Sequence, residues 1–150
     1  MKRLQDFLKN HSVVGLDTSI FIYHLKDHPH YSSLTEIIFN TLEKGISRGV
    51  TSYLTLMEIL VKPKTEGFLQ VARDYEYYLT TFPNLTFCEM GLDVARKASD
   101  VRAAERMKAP DAIQLATAIV YGATAFLTND RIFERVKEID ILLLDKFLRS

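Results

Sequence analysis

The stretch KAPDAIQLATAIVYGATAFLTND, Lys108–Asp130, decides the fold class. Apolar residues recur at helical spacing from Pro110 to Tyr121, with Pro110 suited to a first helical position and Gly122 placed where the helix should stop. A short apolar run, Thr124–Leu127, follows at once, and Asp130 comes directly after it. A helix that feeds a short apolar strand is the closing half of a strand–helix–strand unit. The same alternation extends outward. Candidate strands at Val13–Leu16, Val50–Tyr53, Leu85–Cys88 and Ile141–Leu144 are separated by helical patterns. One pattern runs through Leu34, Ile37, Ile38 and Leu42, a second through Phe68, Val71, Ala72, Tyr75, Leu79 and Phe82, and a third from Asp93 to about Arg106. Strands this short and this uniformly apolar are expected to be covered on both faces. Right-handed crossovers then give a parallel sheet with helices on either side, an α/β fold.

Composition agrees. The 150 residues suit one domain over 1–150, with no Ser/Gly-rich linker, low-complexity tract or internal repeat. Apolar types make up 47% and charged ones 25%, which is ordinary globular usage and far from a disordered chain. The single cysteine, Cys88, excludes an internal disulfide framework and suits a reducing compartment. Lys plus Arg equals Asp plus Glu at 19 each, so bulk positive charge does not hold this chain to nucleic acid, although a local basic patch is compatible. The most apolar stretch, Ala112–Leu127, is interrupted by Gln114, Thr117, Gly122 and Thr124 and does not read as a membrane span. The start, MKRLQDFLKNHS, lacks the apolar core of a signal peptide. A soluble, cytoplasmic protein without a membrane partner is the expectation.

In an open parallel sheet, ligands bind beyond the carboxyl ends of the strands, near the point where strand order reverses. Asp17 follows the first strand in VVGLDTSIFIY, Glu58 follows the second one turn into a helix in VTSYLTLMEIL, and Asp130 follows the fourth in TAFLTNDRIF. Asp111 opens the helix that leads into the fourth strand, and such a helix begins near the same edge. Each acid also has a plain structural role open to it. Asp17 and Asp130 can cap helices, Asp111 can satisfy a helix N-terminus, and Glu58 can face water. Together they say more, because four acids share an edge and Glu58 has no cap to make. Clustered carboxylates repel, and a hard divalent cation relieves the conflict. Two such ions about 3.5–4 Å apart can activate a water and stabilise the leaving oxygen of a phosphodiester.

On these motifs, LDTSIFI, LTLMEIL, APDAIQLATA and FLTNDRIF, the chain resembles the PIN-domain ribonucleases, and most of all the VapC-type toxins of toxin–antitoxin pairs. The resemblance covers essentially the whole chain. It implies a three-layer fold with a five-stranded parallel sheet and helices on both faces. It implies Mg²⁺- or Mn²⁺-dependent endoribonuclease activity, with Asp17, Glu58, Asp111 and Asp130 as the acidic metal-site residues. Thr18 or Ser19 in the first motif, and Thr128 or Asn129 in the last, would be supporting polar residues. A homodimer and an antitoxin that occludes the site are implied as well. The family also contains members that act in RNA processing, and a catalytically silent RNA- or protein-binding module is the reading from a different class.

Basic residues for RNA are scattered: Lys62 and Lys64 after the Glu58 helix, Arg96, Lys97, Arg102, Arg106 and Lys108 before Asp111, and Arg131 after Asp130. Lys62, Arg102, Arg106, Lys108 and Arg131 are candidates for phosphate contact, with solvated faces as the plain reading. His24 and His28 have ligand spacing, but Pro29 disrupts the segment and no further ligand is evident. Cys88 reads as a buried strand residue. No Gly-rich phosphate loop is present, and Ser19 stands where an aspartyl-phosphate enzyme would place a second acid.

Overall fold

Each strand is a short segment built around β-branched or apolar residues. The computed structural model describes residues 2–148. In chain order the elements are α1 (Lys2–Lys9), β1 (Val13–Leu16), α2 (Thr18–Leu25), α3 (Ser32–Glu43), β2 (Arg48–Ser52), α4 (Tyr53–Thr65), α5 (Leu69–Thr80), β3 (Leu85–Cys88), α6 (Leu92–Glu105), α7 (Ala109–Val120), β4 (Ala125–Thr128) and β5 (Asp140–Leu143). Short 3₁₀ turns follow β4 at Arg131–Arg135 and β5 at Leu144–Phe147. The strands form one parallel sheet in the order β3-β2-β1-β4-β5. Strand order therefore reverses between β1 and β4, where Leu16 pairs with Leu127.

Side chains alternate across this sheet. Val14, Leu16, Ala125 and Leu127 face a core shared with α1–α5, whereas Phe126 packs with α6 and α7 on the opposite side. The expected α/β sheet with helices on both faces is thus present. Helix α7 lies unusually close to β1. A Cβ added at Gly15 would meet the Ala118 Cβ at 2.5 Å, so glycine is what allows the approach. Because Asp111 and Gln114 are carried by the same helix, this contact fixes their position relative to the carboxyl end of β1.

Three details differ from the sequence expectations. Strand β2 ends at Ser52 rather than Tyr53, because the Ser52 hydroxyl accepts the Leu54 N–H at 3.0 Å and starts α4 one residue earlier. Strands β4 and β5 are displaced by one residue from the runs read in the sequence, and the edge strands are not fully covered: Thr86 in β3 and Asp140 in β5 are exposed. On α5, Ala72 and Leu79 are buried as expected, but Phe68 and Val71 are exposed. The helix begins only at Leu69, which leaves Phe68 at its cap and turns Val71 toward a surface groove shared with α2 and α4.

Candidate functional site

Asp17 is the first residue beyond β1, and its own N–H still donates to Leu127 O of the neighbouring strand at 3.0 Å. Its extended backbone makes it the N-cap of α2, with Oδ1 accepting the Thr18 N–H at 2.8 Å. Oδ2 accepts the Thr128 hydroxyl at 2.6 Å, while Ser19 Oγ stands at 3.5 Å. The capping role is therefore real, yet it does not settle the charge. Burial is the largest influence on this carboxyl and outweighs the Thr128 and Thr18 hydrogen bonds; Asp111 and Glu58 add repulsion, and the pKa is pushed up to about 6.

Glu58 comes from the buried side of α4, one residue before buried Ile59. The Thr18 hydroxyl donates to its Oε1 at 2.6 Å, and the Gln114 amide approaches the same oxygen at 3.4 Å. Asp111 lies in the first turn of α7, where the helix dipole favours negative charge. Partial burial, then the charges of Asp130 and Glu58, raise its pKa against the opposing attraction of Lys108. Asp130 is exposed and caps the following 3₁₀ turn by accepting the Ile132 N–H at 3.0 Å. Its own N–H donates to Thr128 Oγ1 at 3.1 Å, so one threonine joins Asp17 to the Asp130 loop.

The four acids are thus one electrostatic group at the carboxyl edge of the sheet. They do not close into a finished ligand shell: among the described residues, no three His, Cys, Asp or Glu side chains stand close enough to hold an ion. An all-carboxylate set under mutual repulsion suits a hard cation that takes one or two carboxylates and fills its remaining positions with water.

The supporting hydroxyls separate cleanly. Thr18 serves Glu58 and Thr128 serves Asp17, while Asn129 turns away: its Nδ2 donates to the Tyr23 hydroxyl at 3.3 Å and its Oδ1 accepts the Asp145 N–H at 3.0 Å. Two polar residues that pattern reading passes over, Thr55 and Gln114, are buried and hydrogen-bonded to Thr18 and to each other. The available signal was spacing, since Gln114 sits three residues after Asp111 and shares its helix face.

Of the basic candidates, Lys62 lines a groove together with Glu58, Lys108 is near enough to influence Asp111, and Arg131 is exposed beside Asp130 with Glu134 at 3.5 Å. Arg106 is exposed in the left-handed turn that ends α6. Arg102 is committed locally, its Nε–H donating to Met107 O at 3.1 Å, and so it pins the α6–α7 corner. His24 and His28 do not converge: His24 stacks on Phe39, and His28 Nδ1 accepts the His30 N–H at 3.0 Å. Cys88 is buried at the end of β3, and burial raises its thiol pKa. Among the described residues no helix is long and apolar enough to cross a membrane.

A family model described as the PIN domain matches residues 14–139. No curated protein sequence matches the chain. Among solved structures, the chain is similar to VapBC2 from Rickettsia felis bound to a promoter DNA fragment, with a TM-score of 0.68 and 15% identity over 87% of this chain and 98% of that one. A toxin–antitoxin complex from Klebsiella pneumoniae is similar at TM-score 0.68 and 21% identity, over 89% and 98% of the two chains. DNA-bound VapBC from Salmonella typhimurium gives 0.65 and 22%, again over 89% and 98%. At these identities the likeness is one of fold.

Proposed function

The chain belongs to the PIN domain family, and from that premise we propose that it is a Mg²⁺- or Mn²⁺-dependent endoribonuclease. Asp17, Glu58, Asp111 and Asp130 are its catalytic and metal-holding residues, and 1–150 acts as one domain. The observation that carries this reading is the charge conflict at the sheet edge, where burial and like charge raise both Asp17 and Asp111. Such a conflict costs stability unless a cation resolves it. When bound, a divalent ion supplies water activation and charge stabilisation at a phosphodiester. The protein's own groups prepare the site: the Thr128 hydroxyl and the Thr18 N–H aim Asp17, and the Thr18 hydroxyl aims Glu58. Asp111 and Asp130 contribute charge from the facing side, and Lys62, Lys108, Arg131 and Arg106 offer phosphate contacts around the rim. Arg102 contributes by holding the corner that presents Arg106 and Lys108.

The biological role supported best is the toxin of a toxin–antitoxin pair, acting in the cytoplasm as a homodimer. Structures of similar fold include VapBC proteins and a toxin–antitoxin complex. A groove of about 390 Å³ between α2, α4 and α5, with Leu25, Pro63, Phe68 and Val71 in its walls, leads to Glu58. An antitoxin segment laid there would reach Glu58. On α4, Tyr53, Met57 and Val61 form an exposed apolar stripe at four-residue spacing, a surface suited to a second copy of the chain. A nuclease of RNA processing is the alternative role. The silent binding module draws on one observation, that no three of the acids already surround a point.

Incubating the protein with total cellular RNA and mapping new ends separates these readings. Cleavage that requires Mg²⁺ or Mn²⁺, stops with EDTA and is lost in Asp17→Asn supports the nuclease; RNA binding without cleavage supports the silent module. For the toxin role, induced expression arrests growth and a neighbouring small gene rescues it, whereas an indifferent host points to RNA processing.

A further inference from the structure

Gln114 is a full-length carboxamide in the middle of an otherwise apolar helix face, between Ala112 and Leu115, and is only 3% exposed. Burying an amide there is costly unless its donors and acceptor are satisfied. They are satisfied, and by residues from two other helices. Gln114 Nε2 lies 3.0 Å from Thr18 Oγ1 on α2 and 2.7 Å from Thr55 Oγ1 on α4, while the Thr55 hydroxyl lies 3.0 Å from Gln114 Oε1. Thr51 continues the network with its hydroxyl 2.8 Å from Thr55 and 2.9 Å from Leu16 O. No buried side-chain polar atom among the described residues is left without a partner.

Counting protons gives this network a direction. A threonine hydroxyl has one proton to donate and lone pairs with which to accept. Thr18 has two places for its proton, Glu58 Oε1 at 2.6 Å and Thr55 Oγ1 at 3.3 Å. A Gln114 N–H donated into the Thr18 oxygen leaves the Thr18 proton free for the shorter bond to Glu58. The Thr55 proton is in turn drawn to Gln114 Oε1. The Gln114 amide therefore donates to both threonines, to Thr55 at 2.7 Å and to Thr18 at 3.0 Å, and on the Thr18 side the donors end on one oxygen of Glu58. Unlike Asp17, Glu58 has no backbone N–H among its hydrogen-bond partners; Thr18 and Gln114 are its only ones among the described residues.

We infer that Gln114 is the positioning residue for Glu58: through Thr18 it fixes which carboxylate oxygen is tied down and which is presented to the acid cluster. This rests on the metal-dependent reading of the site. The network lies outside the acids themselves, and removal of such a partner typically costs 10–100-fold in metal affinity or activity.

The test compares wild type, Gln114→Met, Thr18→Val and the double variant by Mn²⁺ titration with electron paramagnetic resonance, alongside melting curves and RNA cleavage. Methionine keeps the length of Gln114 but removes its donors and acceptor. Each single variant is expected to weaken Mn²⁺ binding by roughly 10-fold or more, and the double variant should lose little beyond either one, because Gln114 acts through Thr18. Should Gln114→Met fail to fold, Gln114→Asn, which keeps the amide but draws it back, carries the same expectation. Wild-type Mn²⁺ affinity in a folded Gln114 variant, or losses that simply add, overturns the inference while leaving the nuclease reading intact. A wild-type protein that takes up no Mn²⁺ overturns both.

Discussion

Asp17 and Glu58 are each gripped by a threonine hydroxyl at 2.6 Å, and Asp17 also caps α2. Asp111, at the start of α7, and Asp130, in the turn after β4, have no hydrogen bond to another side chain among the described residues. The Asp130 carboxylate is exposed and accepts the Ile132 N–H of its own turn while its backbone N–H donates to Thr128 Oγ1, and Asp111 has the helix dipole and Lys108 in place of a fixed partner. One half of the site is rigid and set by the core; the other follows the end of α7 and a surface turn. A cluster built this way ties an oxygen of Asp17 and one of Glu58 to threonine hydroxyls and leaves the Asp111 and Asp130 carboxylates without a side-chain donor among the described residues. No three acids already surround a point, yet Asp111 and Glu58 act on Asp17, and Asp130 and Glu58 act on Asp111.

Substitutions on the two sides should therefore differ in size. Asp17→Asn is expected to give the largest loss, on the order of 10³-fold or more in RNA cleavage, because it removes the charge at the rigid centre. The same change should leave metal-free stability equal or higher by about 1–3 kcal/mol, since asparagine Oδ1 can still accept the Thr18 N–H and its Nδ2 can donate to the Thr128 hydroxyl oxygen, without the buried charge. Measuring cleavage and chemical denaturation on one preparation checks both; a large stability loss would make Asp17 a structural cap and little more. Thr128→Val comes next. It frees Asp17 and unties the Asp130 N–H, and roughly 10–100-fold in cleavage is expected, with about 1 kcal/mol of stability. Asp130→Asn should be the mildest, a few-fold change in cleavage with stability altered by less than about 0.5 kcal/mol, as for an exposed side chain. An Asp130→Asn effect larger than that of Thr128→Val would reverse the assignment of the rigid and adjustable halves.

That the four acids share one edge of the sheet was legible in the sequence because topology does most of the placing: in a parallel sheet the residues after each strand arrive at one edge whatever the details of packing. Strands β1 and β3 match their runs residue for residue, since each is a compact apolar segment bounded by residues of a different type. The start of α4 was not legible, because VTSY reads as a continuous strand until the Ser52 hydroxyl is seen capping the helix. Phe68 and Val71 fit a helical period, but period alone does not say which apolar residues meet a core and which face a groove. Gln114 counts in the sequence only as a polar interruption of an apolar stretch. Its role depends on Thr18 and Thr55, which are distant in sequence and meet it only because Gly15 lets α7 settle onto β1. The choice between Thr128 and Asn129 likewise turns on side-chain direction at the strand end, which alternation assigns only once the register is known.

The central claim is that these carboxylates are held in conflict and that a hard cation releases it. Thermal unfolding from pH 4 to 7.5, with and without millimolar Mg²⁺, tests it most directly. Asp17 has a folded-state pKa of about 6 against an ordinary 3.8, so the folded protein binds the extra proton; its contribution is fully present below about pH 4 and is lost as pH rises toward and through 6. That loss amounts to about 3 kcal/mol at most, and raised Asp111 adds to it with the same sign. The account predicts falling stability over this window without metal, with recovery above pH 6 on adding Mg²⁺; in Asp17→Asn the fall should shrink to the part contributed by Asp111 and the Mg²⁺ recovery should be largely lost. Superimposable curves with and without Mg²⁺ would contradict it.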